Sequence, residues 1–200
     1  MSPPLSSVIL AGGRSSRLGT DKAFLTLGGL PLIERVLAAV RQLTDDIIIV
    51  TNTPDRFGAL APDVRLVGDA VPRAGALVGL YSGLLAARHE RALVVGCDMP
   101  FLNLQLLRHL VAVAPECDVV IPRHARGTEA LHAVYSRSCL PPVQRLLARG
   151  NLAIVDFFPE VQVCYVDEPQ LRALDPDLHS FLNINTPADW ALAQQLAQLL

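Results

Sequence analysis

The sequence predicts an α/β fold built on a doubly wound, mostly parallel sheet. Three observations support this prediction: short apolar runs of strand length recur along the chain, amphipathic segments of helical period separate them, and polar or turn residues close most of the runs. Apolar strands that alternate with amphipathic helices form βαβ units, and the sheet they build is covered on both faces. Two hundred residues, 51% of them apolar, suit one such domain with a sizeable core.

Five short segments in the first 123 residues, four of them apolar runs, are expected to be strands. They span residues 8–11, 47–50, 64–67, 92–97 and 119–121. Three helices are expected between them, over residues 32–43, 74–88 and 104–114. The first helix places its apolar residues at the spacing of one helical face. The second contains glycines, which permit close packing but each cost about 1 kcal/mol of helix stability.

The pattern changes in the last third of the chain. We expect a polar loop over residues 124–128, strands over 131–135, 161–166 and 181–185, and helices over 140–148 and 187–200. Thr186 is a suitable N-cap for the last helix, and Pro187 is a suitable first helical residue. The dipeptide Glu168-Pro169 is expected in a loop. The expected organisation is a single domain over residues 1–200 with a small C-terminal part.

Composition and charge exclude several classes of protein. The formal net charge is −2 and the pI is about 6.2, so there is no chain-wide basic surface for nucleic acid. No apolar run reaches the ~18 residues of a membrane-spanning helix, and no basic segment precedes the first apolar run, so we expect a cytoplasmic protein. The histidines lack zinc-binding spacing. The four cysteines, Cys97, Cys117, Cys139 and Cys164, are widely spaced and form no C-x-x-C pair. Buried free thiols in a reducing compartment are therefore expected, and disulfides or a zinc site are the alternatives.

A glycine-rich, positively charged loop follows the first predicted strand, with the sequence LAGGRSSRLGTDK over residues 10–22. Glycine lets a ligand approach the backbone closely, free N–H groups form an anion site, and Arg17 and Lys22 add positive charge. The loop lacks the G-x-x-x-x-G-K-[ST] spacing of a P-loop and the G-x-G-x-x-G spacing of a dinucleotide site. We expect it to bind a phosphate-rich ligand; a turn without a ligand is the alternative.

Lys22 is the only lysine in the chain, against sixteen arginines. Lysine carries a compact point charge, whereas arginine presents a wide planar fork. The use of lysine at this one position therefore indicates a tight phosphate site. A chance remnant of the composition is the alternative interpretation.

Polar side chains follow three further predicted strands, at Asn52, Asp69 and Asp98. In parallel sheets ligands bind beyond the carboxyl ends of the strands, so we expect these residues and the glycine-rich loop to converge on one crevice. A lone carboxylate such as Asp98 suits Mg²⁺, which often binds through one or two carboxylates plus substrate phosphates. Capping of a turn is the alternative role for each aspartate.

Two asparagines, Asn183 and Asn185, alternate on the strand predicted over residues 181–185. This alternation places both amides on one side of a strand. One amide is expected to help hold the metal or the phosphates, and the other the second substrate. Structural asparagines that support the neighbouring loop are the alternative.

The glycine-rich loop resembles the signature L-A-G-G-x-S-x-R-[ML]-G-x-D-K of the molybdenum cofactor guanylyltransferase (MobA) family. Later segments resemble motifs of that family in the same order: Gly68-Asp69 followed by GALVG at residues 75–79, the D-x-P motif at Asp98, LHAVYSR at residues 131–137 and NINTP at residues 183–187. Ala76 stands where the family usually has proline. The resemblance covers nearly the whole chain and implies a Rossmann-like fold of the nucleotide-diphospho-sugar transferase type.

The resemblance also implies a role for each candidate residue. It implies catalytic roles for Lys22, Arg17 and Asp98, Mg²⁺ binding by Asp98, and contacts with the pterin substrate for Asn183 and Asn185. It implies GTP contacts for Leu10, Ala11, Gly12, Gly13, Lys22, Asn52, Asp69 and Asp98. In this scheme Asp69 accepts hydrogen bonds from guanine N1–H and N2–H2, or from a ribose hydroxyl. Residues 1–123 would form the GTP-binding part, and residues from about 124 to 200, with the strand at 131–135, the molybdopterin-binding part.

The implied reaction is transfer of GMP from GTP to molybdopterin bearing molybdenum, with release of pyrophosphate. The attacking phosphate is already an anion, so positioning and charge neutralisation carry catalysis without a strong general base. The resemblance implies partner proteins that insert molybdenum or deliver the product to molybdoenzymes. From the charge and hydropathy of the chain we expect no nucleic-acid or membrane partner. Two alternatives stay open: cytidylyl or uridylyl transfer to a pterin or sugar phosphate, and a non-catalytic nucleotide-binding protein on this scaffold.

Overall fold

The structure is a computed structural model that describes residues 4–12, 22–58, 63–113 and 115–199. The strands in this part of the chain are β1 (Leu5–Leu10), β2 (Thr26–Leu27), β3 (Leu30–Pro31), β4 (Asp46–Val50), β5 (Val64–Val67), β6 (Arg91–Gly96), β7 (Val119–His124), β8 (Gly127–Thr128), β9 (His132–Ser136) and β10 (Val163–Asp167). The α-helices are α1 (Leu32–Val40), α2 (Ala76–Ala86), α3 (Leu104–Ala112), α4 (Leu140–Ala148), α5 (Glu168–Leu174) and α6 (Pro187–Leu196). No helix among the described residues is long and apolar enough to cross a membrane.

Seven strands form the main sheet in the order β10-β7-β9-β6-β1-β4-β5, and β8 pairs with the end of β7 as an eighth strand. The strand β1 runs parallel to β4 and β6, β4 runs parallel to β5, and β10 runs parallel to β7. Only β9, among the long strands described, is antiparallel to its neighbours β6 and β7. Because β9 is antiparallel to both neighbours, β7 runs in the same direction as β6. One edge of the sheet, which we call the carboxyl edge, therefore holds the ends of β5, β4, β1, β6 and β7. The mostly parallel sheet that the sequence predicts is confirmed.

Helices cover both faces of this sheet, as the prediction of a doubly wound fold requires. Side chains of α1, α3 and α5 pack on one face, and those of α2 and α4 pack on the other. The neighbours Val8 and Ile9 of β1 point to opposite faces, and both are 0% exposed. Burial of each such side chain contributes about 1.5–3 kcal/mol, which is why central strands read as continuous apolar runs.

The glycines of α2 let this helix approach β1 closely. A Cβ atom on Gly83 would lie 2.2 Å from Val8 Cγ1, and one on Gly79 would lie 3.1 Å from Leu10 Cδ2. Real Cβ atoms essentially never come as close as the first of these contacts. The expectation that the glycines permit close packing is therefore confirmed, and α2 begins at the carboxyl edge, where β1 ends.

Three predicted segments differ from the structure. Residues 124–128 form a hairpin between β7 and β8, because His124 pairs with Gly127, and are not simply a loop. Glu168-Pro169 begins α5, because Asp167 and Gln170 form a capping box ahead of it. Residues 182–185 form no strand, so the prediction of a strand over 181–185 is wrong.

The expectation of four free thiols is also wrong for one pair. A disulfide joins Cys117 and Cys164, whose Cα atoms lie 6.0 Å apart and which are 47 residues apart in sequence. Cys117 leads into β7 and Cys164 lies in β10, and the parallel pairing of these strands brings them side by side. Cys139 keeps a free thiol, and Cys97 is not part of a disulfide. Sequence spacing gave no sign of a contact that depends on strand order.

Candidate active site

Three polar side chains from distant parts of the chain meet at the carboxyl edge. Lys22 Nζ lies 2.6 Å from Asn185 Oδ1 and 3.8 Å from Asp98 Oδ2. Lys22 begins a short 3-10 helix after the glycine-rich loop, and Asp98 follows the end of β6. The side chains of Lys22 and Asp98 are only 16% and 22% exposed. The structure thus brings together three residues that the sequence singled out.

Among the described residues, Lys22 is the one cation that lies beside the carboxylate of Asp98. Burial raises its pKa above the ordinary aspartate value, and the nearby charge of Lys22 lowers it only in part. A carboxylate withdrawn from water and only partly neutralised favours the approach of further cationic charge. Oxygen donors of this kind, from a carboxylate and neighbouring amides, are those that Mg²⁺ takes, so the residues fit that ion.

Gly96 makes room for the carboxylate of Asp98. A Cβ atom on Gly96 would lie 2.7 Å from Asp98 Oδ1, closer than real Cβ contacts allow. The carboxylate therefore folds back over the last residue of β6, where only glycine leaves space. No sequence pattern marks this requirement for glycine, because it arises from the path of the following turn.

Two backbone contacts hold the segment that carries Asn185. The N–H of Ile184 donates to the carbonyl oxygen of Asp98 at 3.0 Å, and the N–H of Asn185 donates to Asp189 Oδ2 at 3.0 Å. Asp189 also completes a capping box with Thr186 at the start of α6, as the sequence predicts for the N-cap. The helix start and the Asp98 turn therefore fix Asn185 against Lys22.

Asn183 is placed differently from Asn185. Its Nδ2 lies 3.4 Å from the carbonyl oxygen of Phe181, at the long limit of a hydrogen bond. Because this segment is not a strand, the argument from strand alternation does not apply to the two amides. Among the described residues, Asn185 alone of the pair contacts Lys22.

The start of the glycine-rich loop is only partly available for a phosphate. The N–H of Ala11 donates to the carbonyl oxygen of Val50 at 3.0 Å, which extends the pairing of β1 and β4 by one residue. The Ala11 N–H is therefore already paired, and the contact of Ala11 with GTP stays a prediction. Leu10 ends β1, and Gly12 follows as an exposed residue. The predicted contacts of Gly13 and Arg17 lie outside the described residues.

A second pair of predicted residues lies beyond β4 and β5. Asn52 Nδ2 donates to Asp69 Oδ2 at 2.6 Å, and the N–H of Asp69 donates to Asn52 Oδ1 at 3.0 Å. Both line a cavity of about 410 Å³ with residues 71–74. The reciprocal bonds orient the carboxylate of Asp69 and leave its Oδ1 without a hydrogen bond to a described residue. One cavity residue, Arg73, was missed by the sequence reasoning, because no motif marks it.

The two clusters lie along the same edge of the sheet. Asp98 follows β6 and Asp69 follows β5, with β1 and β4 between them. Three strand spacings of ~4.8 Å separate these positions by roughly 14 Å. The residues predicted to share a crevice therefore form two groups along one edge, which suits an elongated ligand.

The strand β9 is core, although its sequence resembles a segment of the part that the family resemblance places against the pterin. All five of its residues are buried, and His132 and Tyr135 are 0% exposed. It lies between β6 and β7 in the main sheet. Its side chains therefore support the site and do not line it.

Comparison with known proteins identifies the family. The profile of the MobA-like NTP transferase domain matches residues 7–162. The molybdenum cofactor guanylyltransferase of Desulfosudis oleivorans is 40% identical over 95% of this chain and 94% of its own, and a probable molybdenum cofactor guanylyltransferase of Pelotomaculum thermopropionicum is 36% identical over 96% and 93%.

A solved structure resembles the whole fold. It is the molybdopterin-guanine dinucleotide biosynthesis protein A of Archaeoglobus fulgidus, with a TM-score of 0.86 and 27% identity over 98% of this chain and 100% of its own. The extent of these matches and the arrangement of the carboxyl edge lead to one assignment. This chain belongs to the MobA-like nucleotidyltransferase family.

Proposed function

We propose that this chain transfers GMP from GTP to molybdopterin bearing molybdenum and releases pyrophosphate. It is a nucleotidyltransferase by family, and relatives that it matches over nearly their full length are molybdenum cofactor guanylyltransferases. The observation that carries the assignment of the site is the meeting of Lys22, Asp98 and Asn185 at the carboxyl edge. The Asn52–Asp69 pair at the same edge supports a ligand that extends along it.

In this proposal GTP lies along the carboxyl edge. The guanine occupies the cavity beside Asn52 and Asp69, where the free Asp69 Oδ1 accepts from the N1–H and N2–H2 groups. The triphosphate extends past Leu10 and Gly12 toward Lys22, whose ammonium neutralises phosphate oxygens. Gly13 and Arg17 belong to the same proposed phosphate site.

Asp98 would hold Mg²⁺, with the amide oxygen of Asn185 close by. When bound, the ion supplies positive charge to the α- and β-phosphate oxygens. The residues of the chain orient these groups: Gly96 leaves the space for the carboxylate, and Lys22 holds Asn185 beside it.

The acceptor is proposed to occupy the C-terminal part, from about residue 124 onward, with Asn183 and Asn185 in contact with it. An oxygen of its terminal phosphate attacks the α-phosphorus of GTP, and the bond from that phosphorus to the oxygen bridging to the β-phosphate breaks. Pyrophosphate leaves with that oxygen. Because the attacking group is an anion, orientation and charge neutralisation supply the catalysis.

We further propose that the reaction takes place in the cytoplasm, where GTP is available. The partners would be proteins that insert molybdenum or that deliver the finished cofactor to molybdoenzymes. The proposal includes no nucleic-acid or membrane partner, since the net charge is −2 and no described helix could span a bilayer.

The test is incubation of the purified chain with Mg²⁺ and each nucleoside triphosphate, with and without molybdenum-bearing molybdopterin, while pyrophosphate is measured. We expect pyrophosphate release with GTP that depends on the pterin and is lost in Asp98→Ala. Release with CTP or UTP instead would replace the proposal with the pyrimidine alternative. Binding of a nucleotide without release under any condition would indicate a non-catalytic protein.

A further inference from the structure

Arg73 shares a cavity with the two residues proposed to bind the guanine base. The cavity has a volume of about 410 Å³ and is lined by Asn52, Asp69, Val71, Pro72, Arg73 and Ala74. Arg73 is the one cationic residue among these lining residues. It lies in the segment that leads from β5 into α2, close to the carboxyl edge.

The guanidinium of Arg73 is anchored although the residue is exposed. Its Nη1 donates to the carbonyl oxygen of Leu147 at 2.9 Å, in the last turn of α4. The negative end of a helix dipole favours a cation at this place. A Cβ atom on Gly150, whose φ is +79°, would lie 3.3 Å from the same nitrogen, so glycine leaves the arginine its position.

This anchoring leaves most of the guanidinium available to a ligand. Arginine carries five N–H donors in a fixed planar fork. Within the described part of the chain, the bond to Leu147 is the only hydrogen bond that the side chain makes. A guanidinium that is fixed through one nitrogen, with its other N–H groups available, can donate hydrogen bonds to two adjacent acceptors on a ligand.

Guanine offers two different edges to this cavity. Its N1–H and N2–H2 groups are donors that suit a carboxylate, and its O6 and N7 atoms are acceptors that suit an arginine fork. Asp69 supplies the carboxylate, and Asn52 holds it in place. We propose that Arg73 donates to O6 and N7 of the bound guanine and is a specificity-determining residue. The inference rests on the proposed use of GTP.

The arrangement discriminates against the other bases. Adenine has an amino donor at the place of O6, which would face the donors of Arg73, and its N1 is an acceptor that would face Asp69. The pyrimidines have no N7. Loss of a bidentate arginine contact to guanine is expected to reduce discrimination by about tenfold, in the lower part of the usual range.

The test measures equilibrium binding of GTP, ATP and 7-deaza-GTP to the full chain, with the wild type, Arg73→Met and Arg73→Lys. Arg108→Met, at an exposed arginine on α3, is the matched control. We expect the preference for GTP over ATP to fall about tenfold in Arg73→Met, and less in Arg73→Lys, which keeps the charge but not the fork. The control should keep the wild-type preference.

The analogue 7-deaza-GTP isolates the contact, because it lacks only the N7 acceptor. We expect the wild type to bind it several-fold more weakly than GTP, and Arg73→Met to bind the two equally. Equal sensitivity to the missing N7 in both proteins would overturn the inference. The inference would also be overturned if the wild type preferred GTP over ATP but bound 7-deaza-GTP as tightly as GTP. This outcome does not depend on whether the variant folds.

The failure of the proposed function would look different. A wild type with no preference for GTP among the triphosphates would contradict the guanylyl assignment itself. A clear preference for GTP that survives Arg73→Met would leave that assignment intact and reject only the role of Arg73.

Discussion

Lys22 Nζ donates a hydrogen bond of 2.6 Å to Asn185 Oδ1, and so joins residues that are 163 positions apart in the sequence. The same ammonium lies 3.8 Å from Asp98 Oδ2, and the Lys22 side chain is 16% exposed. The space between the amide and the carboxylate therefore accommodates a compact cation. The single lysine of the chain therefore stands where a compact ammonium lies between an amide and a carboxylate.

Replacement of Lys22 by arginine should impair the enzyme although the charge is kept. The wider guanidinium cannot occupy the same space without displacing Asn185 or Asp98. We expect kcat/KM for GTP to fall by about tenfold or more, as measured by steady-state pyrophosphate release. Arg145→Lys, at an exposed ion pair with Glu160, is a control for exchange of the two residue types and should change nothing. Wild-type kinetics in Lys22→Arg would show that the choice of lysine has no role.

Removal of the carboxylate at Asp98 should have a larger effect. Asp98→Ala is expected to lower turnover by at least about 10²-fold, the usual cost of losing a main electrostatic stabiliser. Burial raises the pKa of this carboxyl, so Asp98→Asn, which removes the buried charge, should fold at least as stably as the wild type. Near-normal turnover of Asp98→Ala at saturating Mg²⁺ would contradict the proposed metal site.

Gly96→Ala should displace the Asp98 carboxylate although it leaves every proposed functional group in the chain. The added Cβ would lie 2.7 Å from Asp98 Oδ1, so the carboxylate must move. We expect a loss of activity of about tenfold or more together with weaker dependence of the rate on Mg²⁺. Gly58→Ala is the matched control, since its Cβ would make only an ordinary 3.7 Å contact with Asp55. Equal activity of the two variants would show that the carboxylate tolerates displacement.

Local sequence signals predicted the elements that local chemistry determines. The strand over residues 64–67 and the helix over 140–148 have the predicted bounds. A short, mostly apolar segment that ends at Gly68-Asp69 and a proline-led helix start are both visible in short windows. The placement of Asp69 and Asp98 at the carboxyl edge was predicted from the rule that ligands bind beyond the carboxyl ends of parallel strands. These inferences needed only residue types and their order.

The features that were missed depend on contacts across the chain. A strand at residues 181–185 fails because the N–H of Ile184 bonds to the Asp98 turn and the N–H of Asn185 bonds to Asp189, so neither joins the sheet. The disulfide depends on the neighbouring positions of β7 and β10. Arg73 enters its cavity because Leu147 of α4 anchors it, which no spacing within the sequence reveals.

The free energy of unfolding should decrease as the pH is lowered, because His132 is buried. This side chain is 0% exposed, and neither ring nitrogen has a hydrogen-bond partner among the described residues. Burial lowers its pKa from 6.5 to about 4. Between these values the unfolded chain binds a proton that the folded protein does not, so stability is complete above pH 6.5 and is lost as the pH falls toward 4. The loss amounts to about 3 kcal/mol from this group.

Urea denaturation at several pH values tests this expectation. His132→Leu removes both the titration and two unpartnered polar atoms, so it should be neutral or stabilising at pH 7 and should flatten the dependence between pH 6.5 and 4. Asp46 also contributes to acid stability. Burial raises the pKa of its carboxyl, but hydrogen bonds from Ser6, Arg88 and Arg65 hold that pKa below the ordinary value of 3.8, so its contribution is lost below the pH range of this test. An unchanged slope in His132→Leu between pH 6.5 and 4 would assign the dependence to other groups.

The disulfide between Cys117 and Cys164 should stabilise the fold without affecting the chemistry. It lies near the start of β7, at the end of the sheet away from the carboxyl edge, and it closes a separation of 47 residues. In the chain-entropy description such a loop contributes up to about 4 kcal/mol to the free energy of unfolding.

Denaturation with and without a dithiol reductant should show this loss in the wild type. The Cys117→Ser/Cys164→Ser protein should be insensitive to the reductant, and its affinity for GTP should equal that of the wild type. A fall in GTP affinity on reduction would instead show that the two ends of the sheet are coupled.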